Sequence, residues 1–132
     1  MKKKLLKTVA LTLILTLLAS TAVFAAVPSD VKGKSYEEAV SALVEKGIIT
    51  GDTDGNFNPD AELTRAQACI IVVKSMNAPT AEVVGTATQP ALKSGFKDMS
   101  GYSWAEGYIG YAVRNKVTNG YPDGTFKPGS KG

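Results

Sequence analysis

Thr64-Arg65-Ala66-Gln67 is the segment whose residue types and spacing point most directly to a defined interaction. A threonine followed three residues later by glutamine reads as a capping box, so Arg65 becomes the first residue of a helix. A helix start carries unpaired amides and the positive end of the helix dipole, both of which attract anions. A guanidinium beside it can grip a carboxylate through a forked pair of hydrogen bonds. Trp104 and Tyr36 could each offer a flat apolar face to a ligand. Each residue also has a plainer reading. Arg65 can pair with Glu62 or Asp60 at the helix entry, Trp104 can be core, and Thr64 and Gln67 can serve as caps alone.

Other chemistry is closed off by composition. The 132 residues contain no histidine and one cysteine, Cys69. Ser-His-Asp, Cys-His and zinc constellations are therefore absent from the chain, and no carboxylate pair sits in an evident cleft. An enzyme is not expected, nor a cofactor. Asp52-Thr53-Asp54-Gly55-Asn56 imitates the opening of a calcium loop, but Phe57 stands where the sharp turn needs glycine and Leu63 where a bidentate carboxylate is required. No metal site is expected. Cys69 precedes Ile70, Ile71, Val72 and Val73 and reads as a small buried hydrophobe.

The formal charge of +3 is misleading, because Lys2, Lys3, Lys4 and Lys7 all precede the uncharged run Val9–Leu18. A basic start, a short apolar core and the small residues around Val23-Phe24-Ala25 read as a secretory signal peptide over residues 1–25, cut after Ala25. Threonines and serines dilute the run too much for a membrane anchor. Without it, eleven basic residues face twelve acidic ones, a balance of −1. Neither nucleic acid nor, after cleavage, a membrane is an expected partner.

What positions the candidate residues is an internal repeat. Gly51–Pro59 and Gly120–Pro128 both read G-x-x-D-G-x-F-x-P, an offset of 69, and Asp30 and Tyr36 upstream correspond to Asp98 and Trp104 at an offset of 68. Each unit opens with an amphipathic helix, expected to be capped by Ser35 with Glu38 and by Ser103 with Glu106. The spacing places Val40, Leu43 and Val44 on one face, and Tyr108, Ile109, Ala112 and Val113 on its counterpart. Gly47 should stop the first helix in a left-handed conformation. Gly107 and Gly110 weaken the second helix but admit a neighbouring backbone. Phe57 and Phe126 should plug the loops onto the helices, with the aspartates as turn or cap residues. Only the first unit continues into a second helix, with Ala66, Cys69, Ile70 and Val73 on one face. This reading gives a first unit at 26–77, a linker at 78–95 whose Val83-Val84 pair could be briefly extended, and an incomplete second unit at 96–132.

The order of Asp, aromatic, G-x-x-D-G-x-F-x-P and Leu63-Thr64-Arg65-Ala66-Gln67 resembles the S-layer homology (SLH) module. It departs in Tyr36, where the family usually has tryptophan, and in Gln67, where it usually has glutamate. The resemblance implies an all-α fold of short helix-loop-helix units, typically three forming a pseudo-threefold bundle. It implies secretion to the cell wall and non-covalent attachment to a secondary cell-wall polysaccharide, often pyruvylated. Binding grooves would lie between units, with Arg65 as the principal anion contact and Trp104, Thr64, Gln67 and Tyr36 as further candidates. A second implied role is assembly, in which another SLH chain completes the bundle, or the chain is a fragment of a larger surface protein.

Overall fold

The computed structural model describes residues 26–131. The expected signal peptide lies outside the described residues. Among the described residues there are four helices: α1 at Glu37–Glu45, α2 at Arg65–Ser75, α3 at Thr80–Val83 and α4 at Glu106–Arg114. Short 3-10 turns occupy Ser29–Val31 and Ser103–Ala105. The described residues contain no strand, only one antiparallel bridge between Thr64 and Lys131. The fold is all-α, as the sequence implies.

The loops repeat atom for atom. Both carboxylate oxygens of Asp30 accept from the amides of Phe57 and Asn58, at 2.9 and 2.7 Å. Asp98 does the same for Phe126 and Lys127, at 2.9 and 2.7 Å. One carboxylate thus staples each loop to the start of its own unit across more than 25 residues. Charge-assisted bonds to backbone amides are among the stronger ones available to a loop with little apolar content. Helix ends repeat too. Gly47 sits at φ 66° and Lys116, its counterpart, at 59°. Ile48 donates to the Leu43 carbonyl and Val117 to that of Ala112, at 2.9 and 2.8 Å, folding each chain back over its last turn.

The two opening caps are not formed as expected. Neither Ser35 nor Ser103 makes a capping hydrogen bond. Tight turns run straight into the helices instead: the Glu37 amide donates to the Lys34 carbonyl at 3.0 Å, and that of Ala105 to Tyr102 at 2.9 Å. Acidic residues at both helix starts are engaged elsewhere: Glu106, the expected partner of Ser103, and Glu37, the neighbour of the expected Glu38. Glu37 accepts from the Gly33 amide, and Glu106 accepts from both the amide and hydroxyl of Ser94.

Two clusters involve α2 and bind the repeats together. In one, Ala66 of α2 packs with Met99, Ala105, Ile109 and Phe126 of the second unit. Phe126 is 1% exposed, and its ring stacks obliquely on Phe96 at 5.4 Å. In the other, Val73 meets Val83 and Ala112. Val83 lies in α3 rather than in extended structure. It is held there because Gly107 leaves no Cβ in the path of its carbonyl, while Gly110 admits the backbone at Lys93. By contrast, α1 packs within its own unit, as Val31, Val40 and Val44 around Phe57 and Ile49.

Candidate functional site

Capping at α2 is as the sequence predicts. Thr64 Oγ1 accepts from the Gln67 amide at 3.3 Å, and Gln67 Oε1 accepts from the Thr64 amide at 2.8 Å. The first turn of the helix departs from expectation. The Arg65 amide donates to the Ser130 carbonyl at 2.7 Å and the Ala66 amide to Pro128 at 3.0 Å. The helix start therefore has no free amides to offer an anion. The capping box takes the Thr64 and Gln67 amides, and the second unit's loop takes those of Arg65 and Ala66, with acceptors more than sixty residues away.

The Arg65 side chain remains. Its guanidinium carbon lies 4.7 Å from the Phe126 ring centre and 5.1 Å from that of Tyr121. Nη2 donates to Thr118 Oγ1 at 3.3 Å. Nε is buried without a partner. The ion pair expected with Glu62 or Asp60 is not made: Glu62 faces Lys131 at 3.7 Å, and the other described ion pair joins Arg114 to Glu82. Arg65 is thus a half-buried cation resting on two aromatic faces, with no carboxylate partner among the described residues. A cation partly withdrawn from water and lacking a counter-charge favours an incoming anion.

Beside it lies a groove of about 530 Å³, lined by Glu62, Leu63, Thr64, Arg65, Tyr121 and Lys131 among others. Lys127 Nζ sits 4.3 Å from the Tyr121 ring centre, which makes that ring a platform between two cations. Tyr121, Thr118 and Lys127 are not among the candidates that the sequence alone suggests. The available signal was the repeat itself, since Tyr121 stands where the first unit has Asp52.

The other candidates are elsewhere. Trp104 is 52% exposed and tilts against Tyr102 at 6.1 Å, so it is not core. It lines an adjoining groove of about 470 Å³ with Gln67, Ile70, Ile71, Tyr108, Asp52 and Phe57, and this groove shares Ala61, Glu62 and Leu63 with the one at Arg65. Tyr36 borders a third depression with Asp30, Lys34 and Asp60. The five candidates therefore divide among three depressions: Thr64 with Arg65, Gln67 with Trp104, and Tyr36 by itself. Burial pushes the Cys69 thiol above its ordinary range, with Arg65 opposing weakly. Among the described residues no cluster of acidic, histidine or cysteine side chains could hold a metal.

Comparison with known proteins gives two matches to the S-layer homology domain, over residues 29–69 and 95–131. Relatives include Cell surface glycoprotein 1 of Acetivibrio thermocellus, 34% identical over 76% of this chain and 4% of its own. The Cellulosome-anchoring protein of the same organism is 34% identical over 68% of this chain and 19% of its own. S-layer protein EA1 of Bacillus anthracis is 33% identical over 79% of this chain and 11% of its own. The chain spans less than a fifth of the length of these relatives. No solved structure matches.

Proposed function

The chain belongs to the S-layer homology family, and from that membership together with the geometry at Arg65 we propose that it anchors non-covalently to the bacterial cell wall. It acts by binding, without chemistry, outside the cell. Relatives named as surface-layer, cell-surface and cellulosome-anchoring proteins support this placement. Among the described residues no helix is long and apolar enough to cross a membrane.

The finer reading is that the ligand is an anionic secondary wall polysaccharide, with pyruvate-type carboxylates as the recognised group. One observation carries it: Arg65 is half-buried, stacked on Phe126 and Tyr121, and free of any acidic partner among the described residues. A guanidinium seated over two rings and bonded through Nη2 to Thr118 is fixed in place, and its fork of N–H donors suits a carboxylate. Tyr121 could add an apolar face to a sugar, while Lys127 and Lys131 supply further positive charge beside the groove.

Retention on purified wall sacculi tests the proposal. The chain should bind intact sacculi and be lost when the secondary polymer is stripped. Arg65→Ala should weaken retention while the helical circular-dichroism signal persists. Equal retention on stripped and intact walls would exclude the polymer as the ligand.

A further inference from the structure

Asn119-Gly120 is the one Asn-Gly pair in the sequence, and it lies in irregular backbone between α4 and the second unit's loop. An asparagine followed by an unhindered backbone nitrogen can react with it, a chemistry that the binding argument does not use. Thr118 on one side of the pair holds Nη2 of Arg65, and Tyr121 on the other carries the guanidinium over its ring. Asn119 is exposed, and its side chain has no hydrogen-bond partner among the described residues.

Glycine is required at the second position. Gly120 sits at φ 67°, and a Cβ there would strike the Phe96 ring. Its amide lies 3.5 Å from Thr118 Oγ1, beyond the usual hydrogen-bond range, and so is nearly free to react. The two Asp-Gly pairs, which could close the same ring, are restrained. The Gly55 amide donates to the Asp52 carbonyl at 3.1 Å and that of Gly124 to Tyr121 at 3.0 Å, and the Asp123 carboxylate accepts from Thr125. In the first unit Thr50 holds the position of Asn119 and has no side-chain amide to lose.

We propose that Asn119 is a site of spontaneous deamidation, which places a carboxylate beside the Arg65 groove and loosens its hold on an anionic ligand. The Gly120 nitrogen bonds to Asn119 Cγ as the Cγ–Nδ2 bond breaks, and the Gly120 amide proton leaves with that nitrogen as ammonia. Water then opens the cyclic imide at either carbonyl, giving aspartate or isoaspartate at position 119. Both products add a negative charge, and isoaspartate also lengthens the backbone by a carbon between Thr118 and Gly120. Arg65 has no acidic partner among the described residues, so the new carboxylate competes with any anion the guanidinium would take. That consequence rests on the anion-binding reading of this groove; the modification itself does not.

Chain from Ala26 onward is aged in warm buffer and mapped by peptide mass. Conversion at Asn119 should run well ahead of Asn56, Asn58, Asn77 and Asn115, and Asn119→Gln should suppress it, because the larger imide ring closes far more slowly. The Arg65 Nε–H resonance should shift on ageing and in Asn119→Asp, but not in Asn119→Gln. Retention on wall sacculi at low salt should fall roughly two- to fivefold in aged chain and in Asn119→Asp, the effect of one exposed charge. High salt should shrink that loss. Asn119 intact while other asparagines convert, an unmoved Arg65 resonance, or undiminished retention of converted chain would each overturn the proposal. Fresh chain that fails to bind sacculi would instead refute the wall-polymer reading, with the mass map and the Arg65 resonance still deciding the site.

Discussion

At the residue scale, two phenylalanines in identical sequence contexts have unequal roles. Phe126 is sealed under α2, whereas Phe57 is only half covered. Phe126→Ala should destabilise by about 3–5 kcal/mol and Phe57→Ala by clearly less, read as denaturant midpoints. The stapling aspartates make an acid prediction. Amide bonds, that from Phe57 foremost, hold the Asp30 carboxyl below its ordinary range. At Asp98 desolvation pushes upward, and the bonds from Phe126 and Lys127 outweigh it. A carboxylate depressed on folding stabilises fully above its unfolded value of about 3.8 and loses that contribution as pH falls through the lower folded value. Stability should therefore be flat near neutrality and decline below about pH 4, and Asp98→Asn should be weaker at pH 7 with a shallower acid decline. The fate of Arg65 was half legible. Its neighbours in sequence suggested a cap and an ion pair; the aromatic seat comes from residues more than fifty positions away.

At the element scale, local signals were readable where local atoms satisfied them. The Thr64–Gln67 box formed because no competing carbonyl reached those two groups. The boxes at Ser35 and Ser103 did not, and tight turns run into those helices instead, Glu37 donating to Lys34 and Ala105 to Tyr102. Helix α3 was unreadable, since a single turn of four residues is too short to declare itself and is fixed by tertiary contacts: the gap that Gly107 leaves, Val83 against Val73 and Ala112, and Glu82 paired with Arg114. Two substitutions separate these influences. Lys116→Gly relieves a left-handed lysine at the end of α4 and should stabilise by about 1 kcal/mol. Gly107→Ala improves helix propensity by about 1 kcal/mol, yet its methyl would strike the Val83 carbonyl, so the net effect should be destabilising. Thermal melts of the two variants should move in opposite directions.

Across the whole molecule, the sequence repeat and the packing unit do not coincide. The repeat was legible from five identities in a nine-residue segment, but α2 belongs by packing to the second unit, a pairing that no periodicity reveals. The first helix and its loop rely on a small cluster of their own. Amide exchange in α1 should accordingly be faster than in α2 and α4, which share the larger clusters. The same joint gives the molecule its Arg65 groove, because arginine and platform come from different units. Titrating polymer released from the wall into the labelled chain tests that claim most directly. Saturable shifts centred on Thr64, Arg65, Thr118 and Tyr121, abolished by Arg65→Ala, are the predicted result; saturation elsewhere on the surface with these residues unmoved would contradict it.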